Sequence, residues 1–277
     1  SIVTAMDPDH LDVYGDSSSF TDGFRQYAMK IDPNGVCVVK EGISLPTLCP
    51  SISYGIESDT ADYNASKLSY VDGEMQFFVD TKSSGRVCFK LGLPGIHNVS
   101  NALACVALLD HIGLPMSDIQ RGLASFKGVK RRFEVQIKTS ELVYIDDYAH
   151  HPEELKSLID SLRMMYPEQE INAVFQPHLY SRTRDFGNAF SEQLSRFDSL
   201  IILPIYPARE PEIIGVSSEW LLSMVNMKNK KVLSATDVLQ AMKQKTKGVI
   251  VTIGAGDIGE IVAPLKDILI QNIEAAS

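Results

Sequence analysis

Short apolar runs alternate with amphipathic segments through the second half of the chain. The apolar runs predict five strands, at residues 142–145, 171–175, 200–205, 231–233 and 249–253. Apolar residues recur at helical spacing over 152–165, and Ser217 and Thr236 are expected to cap two further helices. Strands that alternate with helices typically form a mostly parallel sheet with helices on both faces. The predicted fold class is therefore α/β.

The first half has a different pattern, with more strands and fewer helices. Apolar or alternating runs predict strands at 1–5, 36–39, 68–71, 75–79 and 86–91. The turn signal Asp72-Gly73 predicts that three of these strands form an antiparallel hairpin region. A helix is predicted over 98–112, and Ser117 is expected to cap a shorter one. The change of pattern places the boundary between the halves near Gly128.

Composition narrows the class of protein. Of 277 residues, 44% are hydrophobic and 22% are charged, as in soluble globular proteins. The net charge of −9 argues against a nucleic-acid surface. No apolar run approaches the roughly 20 residues that span a bilayer, so no membrane partner is expected. Four widely spaced cysteines predict reduced, packed thiols in a cytoplasmic protein rather than zinc or disulfides.

Polar residues of three kinds are concentrated just beyond the boundary. Two arginines, two aspartates and two histidines occur as adjacent pairs, at 131–132, 146–147 and 150–151. Charged and imidazole groups are costly to bury without partners, so a fold alone does not require such a cluster. Arginines suit phosphate, and aspartates suit a ribose or a metal. The cluster therefore predicts a nucleotide-handling enzyme, with its ligands in the loops that follow the strands.

Other motifs leave two interpretations open. Residues 254–259 match GxGxxG, which indicates either dinucleotide binding or, as we favour, a tight turn that a ligand approaches. The acidic segment 7–12 suits Mg²⁺ or a solvated capping loop. Asn98 either caps a helix or, like Asn101, pairs with a purine edge.

The arginine-containing segments are equally open. Residues 130–132 either bind phosphate or form a surface salt bridge with Glu134. Arg182 and Arg184 either clamp a carboxylate or act as helix charges paired with Asp185. Spacing alone does not decide between these hypotheses.

Taken together, these segments resemble the Mur ligase family, and within it the alanine-adding members. The resemblance rests on six motifs in the family's order: Asp7-Pro8-Asp9-His10-Leu11-Asp12, Gly95-Ile96-His97-Asn98 with Asn101, Arg131-Arg132-Phe133-Glu134, Asp146-Asp147-Tyr148-Ala149-His150-His151-Pro152, Phe175-Gln176-Pro177-His178 and Gly254-Ala255-Gly256-Asp257. It implies that residues 1–129 are the C-terminal part of the central, ATP-binding domain. Residues 130–277 would be the Rossmann-like C-terminal domain.

The resemblance also implies an activity and roles for particular residues. ATP and Mg²⁺ would activate the carboxylate of UDP-N-acetylmuramate as an acyl phosphate, which the amine of L-alanine attacks. Catalytic roles are implied for Arg132 and His150, and a metal-binding role for His10. The implied nucleotide-binding residues are His97, Asn98, Asn101, Arg132 and Asp147. The implied L-alanine-binding residues are Tyr148, His150, His178, Arg182 and Arg184.

Two departures from the family pattern affect these expectations. Leu179 stands where some relatives carry an arginine for the amino acid's carboxylate, which leaves more of that role to Arg182 or Arg184. The family's N-terminal UDP-binding domain and its P-loop are not found in this sequence. We therefore expect the chain to be a fragment that cannot form the amide bond alone.

Three alternatives to the alanine-adding function remain. A recycling ligase that adds a tripeptide to the same UDP-sugar shares much of the pattern, although the loop at 176–178 favours the alanine-adding enzyme. Folylpolyglutamate synthase is a more distant rival, and it should lack the paired histidines and arginines. A non-catalytic module that binds a nucleotide or an amino acid is the alternative outside the enzymes.

Overall fold

The computed structural model describes residues 1–7, 11–71 and 74–276. The chain divides into two compact units, Ser1–Lys127 and Gly128–Ser277, and each is described by itself. Both units contain one six-stranded sheet with helices, so the α/β prediction is confirmed. Within the described residues, no helix has both the length and the apolar character that a membrane crossing needs.

The sheet of the first unit is mixed, with three parallel and two antiparallel strand pairs. Its strands lie side by side in chain order, and the pairs from β1 to β4 are parallel whereas β4, β5 and β6 are antiparallel. The predicted antiparallel region is thus confirmed, and its turn at 72–73 lies outside the described residues. The strands are β1 (Ile2–Val3), β2 (Cys37–Lys40), β3 (Ser51–Ile56), β4 (Tyr63–Val71), β5 (Glu74–Thr81) and β6 (Gly85–Leu91).

β5 is the central strand of the antiparallel region, and its buried residues alternate along the chain. Met75, Phe77 and Val79 are fully buried, whereas the residues between them are only partly buried. This period of two places one face of the strand in the core. Phe77 pairs with Phe89 of β6, and the two rings stack at 5.8 Å.

Among the described residues, the helices beside this sheet are α1 (Leu11–Tyr14), α2 (Ser17–Ala28), α3 (Ile96–His111) and α4 (Met116–Ser125). Asn98 is not the cap of α3, because Gly95 occupies that position with φ 109°, a conformation that favours glycine. The Asn98 amide instead donates to the carbonyl of Pro94 at 2.7 Å. The predicted cap of α4 was also wrong, since Pro115 precedes that helix and Ser117 lies inside it.

The sheet of the second unit is parallel except at one edge. Its order is β11-β10-β9-β12-β8-β7, and only β7 runs antiparallel to its neighbour. All residues of β8 and β9 are buried, as expected for central strands covered on both faces. The strands are β7 (Glu134–Lys138), β8 (Leu142–Asp147), β9 (Ile171–Phe175), β10 (Ser199–Ile202), β11 (Lys230–Val232) and β12 (Gly248–Ile253).

The helices of the second unit follow its strands, as predicted. The amphipathic segment forms α5, whose buried apolar residues are those expected from helical spacing. Ser217 caps α8 through a bond from the Trp220 N–H, but Thr236 is not a cap, because Ser234 holds that position before α9. The helices are α5 (Pro152–Met165), α6 (Tyr180–Asp185), α7 (Gly187–Leu194), α8 (Ser218–Met224), α9 (Ala235–Ala241) and α10 (Val262–Ala276), with a 3₁₀ helix at Asp257–Ile261.

Candidate functional site

Three parallel strands of the second unit end side by side. Ile253, the last residue of β12, is paired with Asp147 of β8 on one side and with Phe175 of β9 on the other. The loops that follow are therefore neighbours at the carboxyl edge of the sheet, where ligands of parallel sheets bind. They begin at Tyr148, Gln176 and Gly254.

A strained turn precedes β7 and faces these loops. Arg131 and Phe133 have φ angles of 60° and 51°, which are unfavourable for residues with a side chain. Three hydrogen bonds hold the turn: Arg131 N donates to Glu134 Oε2 (2.8 Å), Phe133 N to Asp147 Oδ2 (2.7 Å), and Tyr148 N to the carbonyl of Arg131 (2.6 Å). Glu134 thus accepts from the backbone of Arg131, and the ion pairs of the two arginines are made with other carboxylates.

The two arginines of the turn have different environments. Arg131 points inward: its Nε lies 3.1 Å from Asp146 Oδ2, and its Nη2 donates to the carbonyl of Gly254 at 2.6 Å. Arg132 is about half exposed and pairs with Glu154 at 3.2 Å. Both guanidinium groups lie over the ring of Tyr148, at 5.1 and 5.3 Å from its centroid. Cations in this position are attracted to the face of an aromatic ring.

Burial raises the pKa of both aspartates. It raises the pKa of Asp146 above 3.8, although bonds from Thr252 and Arg131 lower it in part. It raises the pKa of Asp147 to about 6, against the opposing effect of the N–H groups of Phe133 and Ala149 and the charge of Arg132. Asp147 is 5% exposed, and its two oxygens already accept these backbone bonds.

Glu154 joins Arg132 to the histidine loop. Its Oε2 accepts from the backbone N–H of His150 at 2.8 Å and of His151 at 3.2 Å, and it lies 3.2 Å from the His150 ring nitrogen Nδ1. Burial raises the pKa of Glu154, but His150 and Arg132 lower it by more, so the net pKa is below 4.5. The Glu154 carboxylate therefore fixes the start of α5 and holds both Arg132 and His150.

A row of rings runs across the loops that follow β8, β9 and β10. The centroid of His150 lies 5.4 Å from that of Tyr148 and 6.0 Å from that of His178, and His178 stacks on Tyr206 at 5.6 Å. Arg182 is buried, and its Nη1 donates to His178 Nδ1 at 3.4 Å. The site therefore combines an aromatic wall with cationic groups at both ends.

Comparisons with known proteins identify the family. A model described as "Mur ligase middle domain" matches residues 1–109, and one described as "Mur ligase, glutamate ligase domain" matches residues 131–257. The chain belongs to the Mur ligase family. The resemblance inferred from its sequence motifs is confirmed.

The Mur ligase relatives are longer than this chain. A UDP-N-acetylmuramate–L-alanine ligase of Flavobacterium psychrophilum is 44% identical over 264 residues, which cover 95% of this chain and 58% of the relative. The crystal structure of the UDP-N-acetylmuramate–alanine ligase of Thermotoga maritima has a TM-score of 0.75 at 22% identity, covering 100% of this chain and 60% of that one. The MurF ligase of Thermotoga maritima in complex with ADP has a TM-score of 0.73 at 15% identity, covering 100% and 62%. These two structures establish the likeness of fold.

The structure brings together five of the residues predicted for the Mur ligase site, namely Arg132, Tyr148, His150, His178 and Arg182. Arg184 instead pairs with Asp185 at 2.7 Å on the surface, which matches the alternative of a helix charge. His97, Asn98 and Asn101 lie in the first two turns of α3 in the other unit. His10 lies outside the described residues.

The glycine-rich turn of this Mur ligase is filled by its own side chains. A Cβ at Gly256 would lie 2.5 Å from Gln176 Oε1 and 2.7 Å from Tyr206 Cβ, and one at Gly259 would lie 2.9 Å from Arg131 Nη1. Gln176 Oε1 also accepts from the Ile258 N–H at 2.8 Å. The glycines at 256 and 259 therefore admit neighbouring protein groups.

Sequence reasoning left three residues of the site without a specific role: Arg131, Glu154 and Tyr206. Glu154 carried a usable signal, because it follows the cap His151 by three residues, as in a capping box. Nothing in the sequence distinguished the role of Arg131 from that of Arg132. Tyr206 follows a predicted strand. Its contact with His178 joins two loops, and only the order of the strands in the sheet shows that these loops are neighbours.

Proposed function

We propose that the protein containing this chain ligates L-alanine to UDP-N-acetylmuramate at the expense of ATP. The observation that carries the proposal is the 44% identity over 95% of the chain to a relative named for this reaction. The convergence of Arg132, Tyr148, His150 and His178 on one sheet edge supports it, because this edge offers cationic and aromatic groups to phosphate and to the carboxylate of a small amino acid. In this proposal residues 1–129 belong to the central domain and 130–277 to the C-terminal domain.

ATP would supply the phosphoryl group that activates the carboxylate of the UDP-sugar. The exposed guanidinium of Arg132 suits a phosphate, since it carries five N–H donors and its ion pair with Glu154 engages one of its Nη atoms. Arg132 would neutralise charge on the transferring phosphoryl group, which lowers the barrier most when the donor is already held in place. Glu154 and the Tyr148 ring hold it in that way.

The aromatic wall is the proposed L-alanine site. Arg182 would bind the carboxylate of the amino acid, and His178, His150 and Tyr148 would enclose its small side chain. His150 would also accept a hydrogen bond from the amine through Nε2, because its Nδ1 faces two acceptors, the Tyr148 carbonyl at 3.0 Å and Glu154 at 3.2 Å. Arg184 has weaker support for this role, because its guanidinium is already paired with Asp185.

The remaining nucleotide contacts are proposed from the motifs. Asn101 is exposed on α3, beside His97 and Asn98, and would meet the purine. Asp147 has less room for a ribose, because its buried carboxylate already accepts two backbone N–H groups. Among the described residues, no three or more His, Cys, Asp or Glu side chains form a cluster that could hold a metal ion. We propose that Mg²⁺ accompanies ATP and that the reaction takes place in the cytoplasm. No described residue is assigned as a ligand of this ion.

Phosphate release tests this function. The enzyme would be prepared at the full length of its relatives (the complete enzyme) and supplied with ATP, Mg²⁺ and UDP-N-acetylmuramate. L-alanine, the L-Ala–D-Glu–diaminopimelate tripeptide and no acceptor would be compared. Release that depends on L-alanine is the expected result. Release only with the tripeptide would assign the protein to murein recycling, and binding without release would favour a non-catalytic module.

A further inference from the structure

Arg131 contacts two separate segments of the second unit, the end of β8 with the loop after it and the loop after β12. Its side chain pairs with Asp146 at the end of β8 and donates to Gly254 after β12, 123 positions away in sequence. Its guanidinium also lies over the ring of Tyr148, whose backbone N–H donates to the carbonyl of Arg131 itself. Arg131 thus holds Tyr148 from two sides, through its main chain and its side chain.

The environment of this arginine favours a fixed position. The Arg131 side chain is 25% exposed and its partner Asp146 is 1% exposed. Asp146 is held in turn by Thr252, whose hydroxyl donates to its other oxygen at 2.7 Å. A planar guanidinium reaches a carboxylate and a carbonyl at once while presenting a face to a ring, whereas a lysine ammonium is a single point charge.

We propose that Arg131 is a positioning residue for the amino-acid substrate, an inference that rests on the proposed function. It sets the position of Tyr148, and through Tyr148 the neighbouring ring of His150, so that the aromatic wall is formed before L-alanine binds. In the proposed function the adjacent Arg132 binds the phosphates, so the two arginines of the turn have different roles. Binding sites that are rigid before the ligand arrives lose less free energy on binding.

Arg163 provides a matched control for this proposal. It also bridges a carboxylate and a carbonyl, with Nη1 3.0 Å from Asp198 and Nη2 donating to the carbonyl of Arg196 at 2.7 Å. It lies in the last turn of α5, and Asp198 directly precedes β10, so this bridge is at the amino edge of the sheet. A purely structural arginine is therefore available in the same unit.

The experiment compares Arg131→Lys with Arg163→Lys in the complete enzyme. KM for L-alanine, KM for UDP-N-acetylmuramate, kcat and the midpoint of thermal unfolding would be measured. We expect Arg131→Lys to raise KM for L-alanine by about tenfold or more, with KM for the UDP-sugar changed by less than about twofold. Arg163→Lys should lower the unfolding midpoint without changing either KM.

Gly259→Ala tests the same contact without removing any polar group. The added methyl would lie 2.9 Å from Arg131 Nη1 and displace the guanidinium slightly. A rise of about two- to fivefold in KM for L-alanine is expected, and this variant decides the matter if Arg131→Lys does not fold.

A double variant shows whether Arg131 acts through Tyr148. If it does, Arg131→Lys should add little to the KM for L-alanine of Tyr148→Leu. An unchanged KM for L-alanine in the folded Arg131 and Gly259 variants would overturn the proposal, as would an equal rise in Arg163→Lys. Absence of alanine-dependent ligation in the unaltered complete enzyme would instead overturn the proposed function.

Discussion

His178 and Tyr206 stack with their ring planes 26° apart, although they belong to loops that follow different strands. Two backbone bonds reinforce this stack, since Tyr206 N donates to the carbonyl of Pro177 and Leu179 N donates to the carbonyl of Tyr206, both at 2.9 Å. Leu179 has φ 69°, so the bond also holds an unfavourable backbone conformation. Tyr206 therefore supports the loop that carries His178.

Replacing Tyr206 should weaken L-alanine binding through His178. Tyr206→Leu removes the stacked ring, so we expect KM for L-alanine in the complete enzyme to rise by about tenfold. Tyr206→Phe keeps the ring and should change it by less than about twofold. Steady-state kinetics with L-alanine as the varied substrate measures both. Equal effects of the two variants would show that the hydroxyl matters rather than the stack.

Gly256→Ala should destabilise the second unit. Gly256 has an ordinary φ of −86°, so the cost comes from the contacts of the new methyl with Gln176 and Tyr206 rather than from the backbone. Overpacking of this kind costs about 1–3 kcal/mol of unfolding free energy. Calorimetry should record a lower unfolding temperature. The control Gly122→Ala, within a helix and with nothing inside 4 Å, should stabilise by about 0.5–1 kcal/mol.

The sheet of the second unit was largely predictable, because its strands carry their own signal. β9 and β12 are mostly apolar runs between polar loops, interrupted only by Asn172 and Thr252, which is the pattern of strands buried on both faces. The edge strand β7 was missed. Glu134–Lys138 has few apolar residues, and its pairing with β8 depends on a long-range partner. β3 and α2 were also not predicted from the sequence.

The site was predictable as a set of residues but not as a set of contacts. Motifs pointed to Tyr148, His150 and His178, which the structure brings together. Adjacent arginines have the same local chemistry, however, and in the structure it is Arg131, a residue with φ 60°, that turns inward. Glu134 and the hydrogen bond from the Tyr148 N–H hold that conformation. The spacing of residues along the sequence does not show hydrogen bonds of this kind.

The cap of α9 offers a direct test of a corrected prediction. Ser234 Oγ accepts from the Asp237 N–H at 3.2 Å, whereas Thr236 lies inside the helix. Ser234→Ala should therefore lower the unfolding free energy by about 1 kcal/mol. Thr236→Ala should change it by less than about 0.5 kcal/mol. Trp220, the only tryptophan, lies in the second unit, so its fluorescence during urea unfolding measures both variants. A larger loss for Thr236→Ala would contradict the assignment.

Asp147 should make the stability of the second unit fall as pH rises. Its pKa in the folded chain is raised by burial to about 6, from 3.8. Between these values the folded state binds the proton more tightly than the unfolded state does. The contribution of Asp147 to stability is therefore complete below its unfolded pKa and lost as pH passes its folded pKa. A shift of about two pKa units corresponds to about 3 kcal/mol.

Asp147→Asn removes this titration and provides the measurement. Urea unfolding of both proteins would be followed by Trp220 fluorescence from about pH 4 to about pH 7. The unfolding free energy of the unaltered chain should fall relative to Asp147→Asn across this range, by up to about 3 kcal/mol. Asp198 is the control of opposite sign, because Arg163 and the Ile171 N–H outweigh its burial and lower its pKa. The advantage of Asp198 over Asp198→Asn should therefore diminish as pH falls. A pH-independent difference for Asp147 would mean that its carboxylate is ionised in the folded chain throughout, with Arg132 and the backbone N–H groups compensating for burial.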